Sequence, residues 1–79
     1  MNVEQLNKAN KLLIEIEHTK KMISSLQAPY TNAIRANSYN SGKETTEVHL
    51  FESDSKLSKL LINYFNDVLA ELQKEFDSL

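Results

Sequence analysis

The sequence predicts a mainly α fold. It reads as an antiparallel pair of long amphipathic helices joined by a short β-hairpin, in the order α-β-β-α, assembled as a homo-oligomer. Three observations carry this reading. Apolar residues in the last third fall at steps of four, four, three, four, four and three. A second amphipathic run of matching length fills the N-terminal third. Between them, residues 28–52 hold a β-favouring stretch and the chain's only glycine.

The first helix is predicted over residues 2–27. Asn2 is a good N-cap, and Gln5 three residues later completes a capping-box pattern. Leu6, Ala9, Leu13, Ile16 and Ile23 then recur at helical spacing, flanked by Leu12 and Leu26. Lys20 lies on the same stripe, where its stem can cover apolar surface while the ammonium reaches water. Pro29 ends the helix because proline disfavours helical geometry in the residue before it.

The middle segment is too long for a plain helix–helix turn and calls for structure of its own. Strands are predicted over 33–39 and 47–51, with Asn40, Ser41 and Gly42 marking the turn; a flexible loop is the alternative. Val48 and Leu50 would share one face, with Glu47, His49 and Phe51 on the other. A two-stranded hairpin is marginal alone, so it needs the helices or a second chain to pack on.

The second helix is predicted over 53–79, with Ser53 as N-cap and Asp54 in the first turn. Its stripe is Leu57, Leu61, Phe65, Val68, Leu72, Phe76 and Leu79. Leu57 returns as Val68 and Leu79, an eleven-residue repeat close to the pitch of a straight helix. The first six are the expected oligomer interface. Leu60, Ile62 and Leu69 widen the apolar arc, and a helix apolar over more than one seam touches more than one neighbour.

Composition narrows the function. A chain of 79 residues is a single domain. One this short buries only about 60–65% of its unfolded surface, so it needs reinforcement. It has no cysteine, which removes disulfides and thiol chemistry and leaves assembly, as a dimer or tetramer, to supply buried area. The opening residues Asn2 and Glu4 are polar, and no stretch is apolar enough to span a membrane, so a cytoplasmic location is expected. The net charge is −2, divided as +3 over residues 1–43 and −5 over 44–79. Complementary halves favour helices lying side by side, and the lack of a basic stripe argues against long nucleic acid as a partner.

Chemistry-bearing constellations are few. Glu15 and His18 have the Glu-x-x-His spacing of di-iron bundles, but the second helix has no histidine and His18 points off the seam; a solvated pair is the plain reading. No metal or other cofactor is expected. Ser24, Ser25, Ser38 and Ser41 lack a nucleophile turn and an activating base, and one glycine cannot form a phosphate loop, so a catalytic role has no support. Asp67, Glu71 and Glu75 read as a solvated face. The middle segment is the exception. Arg35, Lys43, His49 and Tyr39, with Tyr30 and three asparagines nearby, are residue types that bind phosphate and stack on bases. They are the candidate ligand contacts for a small anionic molecule.

The stretches from Asn10 to Glu17 (NKLLIEIE) and from Leu69 to Phe76 (LAELQKEF) resemble short helical-hairpin proteins common in bacteriophage genomes. That resemblance implies a counter-defence protein in the host cytoplasm. It would sequester a small nucleotide immune signal, a cyclic dinucleotide or an ADP-ribose derivative, or inhibit a protein by contact through a coiled-coil-like seam. The chain has no tryptophan and lacks the basic, Trp-containing pattern of the cyclic-dinucleotide sponge hairpin. No residue role carries over one by one.

Overall fold

A computed structural model describes residues 2–29 and 31–79. Helix α1 spans Val3–Gln27, strand β1 Thr31–Asn40, strand β2 Lys43–Glu52 and helix α2 Lys56–Asp77. The order is the predicted α-β-β-α, and no helix among the described residues is long and apolar enough to cross a membrane.

Local chemistry sets the boundaries. The Asn2 side chain accepts the Gln5 N–H at 2.8 Å, and the Gln5 side chain accepts the Asn2 N–H at 3.2 Å, so the capping box is formed on both sides. At the other end Ala28 turns extended, with ψ of 153°, immediately before Pro29. The start of α2 differs from the prediction. Its cap is Ser55, whose hydroxyl accepts the Ser58 N–H at 3.2 Å, and not Ser53. Strand β2 runs on to Glu52, whose carbonyl accepts the Ser55 N–H at 3.1 Å. Ser53 and Asp54 lie in that turn, so Asp54 precedes the cap instead of occupying the first helical turn.

The strands are longer than predicted, ten residues each, paired antiparallel in register from Thr31 opposite Glu52 to Asn40 opposite Lys43. Ser41 and Gly42 both have positive φ, 51° and 77°. Two such residues make the tight turn whose twist matches that of the strands, and the pairing it starts carries the ladder past the sequence-predicted ends. At about 3.3 Å per residue each arm is roughly 33 Å long.

The core is one seam. Ala9, Leu12, Ile16, Thr19, Ile23 and Leu26 of α1 are buried, at steps of three, four, three, four and three. This corrects the stripe read from sequence. Leu6 and Leu13 are exposed, 51% and 44%, while Leu12, Thr19 and Leu26 lie inside. Thr19 tolerates burial because its hydroxyl donates to the Glu15 carbonyl at 2.8 Å. With Thr19 carrying the seam, Lys20 beside it is solvent-exposed.

Two pairs fix how α2 lies against α1. Ser58 is fully buried, and its hydroxyl donates to the Leu26 carbonyl at 3.1 Å. At the far end the Lys8 ammonium is 3.9 Å from the Glu75 carboxylate. Residues 26 with 58 and 8 with 75 have index sums of 84 and 83, so the helices run antiparallel without slip. Taking Ser58 as the α1-facing reference, Ile62, Phe65, Leu69, Leu72 and Phe76 follow at heptad steps, and each is partly buried. The predicted interface residues Leu57, Leu61, Phe65, Val68, Leu72 and Phe76 are thus partly covered within one chain. The charge-complementary halves meet, among the described residues, through the single solvated pair of Lys8 and Glu75, which contributes little.

Two substitutions separate this seam from the sequence-read stripe. Ile16→Ala is expected to cost about 2–4 kcal/mol and Leu6→Ala less than about 1 kcal/mol, measured by urea unfolding. Equal losses would contradict the seam. Ser58→Ala leaves the buried Leu26 carbonyl without its donor and is expected to cost about 1–3 kcal/mol. A neutral result would remove Ser58 as the anchor of the register.

Candidate functional site

Opposed residues of an antiparallel pair share a face, so the register sorts the hairpin side chains. One face carries the pairs Thr31–Glu52, Ala33–Leu50, Arg35–Val48, Asn37–Thr46 and Tyr39–Glu44. The other carries Asn32–Phe51, Ile34–His49, Ala36–Glu47, Ser38–Thr45 and Asn40–Lys43. Phe51 is the only buried residue of either strand, so the second face is the one anchored on the helices, at its base. Val48 and Leu50 do share a face, as the alternation predicts, but it is the solvent-facing one.

The four candidate ligand residues therefore fall into two pairs. Arg35 and Tyr39 stand on the outer face; Lys43 and His49 stand on the other. Within one chain they do not converge on a common ligand. Tyr30 lies outside the described residues.

The outer face has a definite construction. Side-chain hydrogen bonds tie three of its five rungs: Thr31 to Glu52 at 3.1 Å, Thr46 to Asn37 at 3.0 Å and Tyr39 to Glu44 at 3.4 Å. Arg35, the chain's only arginine, occupies the central rung opposite Val48 and has no ion-pair partner among the described residues. Around it Val48, Leu50 and Tyr39 are 54%, 65% and 76% exposed. The result is an exposed, mixed face: Arg35 stands opposite Val48, with the Ala33–Leu50 rung on one side, the polar Asn37–Thr46 rung on the other and Tyr39 one rung beyond.

A cavity of about 380 Å³ lies where the hairpin meets the helices. Met22 and Leu26 of α1, Leu61 and Phe65 of α2, and Ile34 and Phe51 of the hairpin line it. Asn32 also lines it, and its buried Nδ2 has no hydrogen-bond partner among the described residues. Sequence reasoning did not find this cavity, because its walls come from four elements and no local spacing connects them. A shallower depression on α1 is lined by Leu13, Ile14, Glu17, His18 and Lys21. His18 faces solvent there, as predicted, and among the described residues no group of three His, Cys, Asp or Glu side chains is placed to hold a metal ion.

Comparison of the chain with protein-family models, with curated proteins and with solved structures found no match.

Proposed function

We propose that the chain is a non-catalytic, homo-oligomeric binding protein that engages another protein through the outer face of its hairpin. The observation that carries this reading is the exposed Arg35–Val48 rung, with Leu50 on the adjoining rung and Tyr39 two rungs away on the same face. Small-molecule sites are concave and enclose their ligand, whereas the side chains of this face stand open to solvent. Tyrosine and arginine amid apolar side chains are the residue types that dominate protein–protein binding energy. The cross-strand hydrogen bonds hold the face in one geometry before a partner arrives, which lowers the ordering cost of association. An apolar partner surface with a carboxylate for Arg35 fits its chemistry. Within the resemblance to phage counter-defence proteins, this is inhibition by contact.

Sequestration of a small phosphate-bearing nucleotide is the second reading. Arg35 and Tyr39 on one face, with the guanidinium free, favour it. Because Lys43 and His49 lie on the opposite face, a site using all four needs more than one copy.

One set of variants separates the readings. Arg35→Glu and Leu50→Glu should each reduce capture of a host protein at least about tenfold while leaving helix content unchanged by circular dichroism. Capture untouched by both variants would contradict the hairpin as the working surface. A cyclic dinucleotide or ADP-ribose derivative that raises the melting temperature, with the rise abolished in Arg35→Ala, would move the function to sequestration.

A further inference from the structure

We infer that a second copy of this chain packs antiparallel on the exposed flank of α2, so that two helix pairs stack as two layers; this rests on the homo-oligomeric part of the proposed function. The first observation is area. A folded monomer of 9.1 kDa is expected to expose about 4,900 Å², and this chain exposes 6377 Å². Its radius of gyration is 16.6 Å, against about 12 Å for a compact chain of this length. The molecule measures 45 × 37 × 15 Å, and 15 Å is little more than the width of one helix. A domain needs two packed layers to close a core, and this chain builds one. A stable dimer hides about 800 Å² per partner, roughly half of the excess. That leaves the outer hairpin face free for the partner proposed above.

The second observation locates the missing layer. Ser58, Ile62, Phe65, Leu69, Leu72 and Phe76 are the line of α2 that follows the buried Ser58 along α1. A second line runs beside it at steps of four, three and four: Leu57, Leu61, Tyr64 and Val68. Leu60 borders it. Tyr64 and Leu60 are 60% and 57% exposed, and Leu61 also walls the open cavity at the hairpin base. The line is apolar for about three turns and then becomes acidic at Glu71 and Glu75. The exposed apolar side of α1 carries Val3, Leu6, Leu13 and Ile14, but Asn10 interrupts it and Glu17 and Lys21 end it.

The third observation sets the direction. Lys56, Leu60, Asp67 and Glu71 share the rim of this flank at helical spacing. Lys56 and Glu71 are exposed and lack ion-pair partners among the described residues. In an antiparallel α2–α2 pair centred near Asn63 and Tyr64, Lys56 of each copy meets the partner's Glu71. A parallel pair would oppose like charges. The twofold relation makes every such contact occur twice.

The test is sedimentation equilibrium over a concentration series, with Ile14→Glu as the control on the other exposed apolar face. The wild type should show twice the chain mass, and its melting temperature should rise with concentration. Tyr64→Glu should weaken association at least about tenfold, with Ile14→Glu unchanged. Lys56→Glu should weaken it about three- to tenfold, and the Lys56→Glu, Glu71→Lys double variant should restore it. A monomeric wild type with a concentration-independent melting temperature would overturn both this interface and the oligomeric reading. An assembled wild type that resists Tyr64→Glu, or one that Ile14→Glu dissociates, would overturn this interface and leave oligomerisation standing. Charge reversal that the double variant fails to rescue would overturn the antiparallel arrangement.

Discussion

The hydroxyl of Ser58 against the carbonyl of Leu26 fixes the structure more than any other single contact. The last carbonyls of a helix have no partner inside it. Leu26 sits one residue before the end of α1 and is buried, so its carbonyl needs an external donor. Ser58 supplies that donor from the first turn of α2 and sets where α2 begins to pack. Once 26 is held to 58, the two heptad lines run together to the pair of Lys8 and Glu75. Among the described residues only six hydrophobic side chains are buried, and five belong to α1. A slip of the register would open the single seam that holds the chain.

The hairpin depends on that seam and adds little to it. Phe51 inserts at the junction, and the arms extend away from the helices. Its order comes from within: a tight turn with two positive-φ residues, ten-residue strands and hydrogen-bonded rungs on the outer face. The division of labour is physical. The helices fix the base, and the ladder presents Arg35 and its neighbours on a surface that the core does not use.

Much of this was legible in the sequence. The capping box at Asn2 and Gln5, the stop before Pro29 and the turn at Gly42 are local signals, and each stands where its chemistry places it. Sequence spacing misplaces the stripe on α1 because Leu6, Leu13 and Lys20 fit a helical period as well as Leu12, Thr19 and Leu26 do. Only the position of α2 decides between them, and a threonine that satisfies its own hydroxyl does not look like core. The cap of α2 moved from Ser53 to Ser55 because β2 extends to Glu52, a consequence of pairing with β1 that no window around Ser53 contains. Proximity in sequence gathers the candidate ligand residues into one group. Alternation along paired strands places Arg35 and Tyr39 on one face and Lys43 and His49 on the other.

Residue-resolved amide hydrogen exchange measures directly whether one helical seam carries the stability and the hairpin leans on it. The strongest protection is expected in Leu12–Leu26 and Ile62–Leu72, intermediate protection at the hairpin base around Asn32 and Phe51, and fast exchange from Asn37 to Thr46. Strongest protection in the hairpin arms, with the helices exchanging freely, would contradict it.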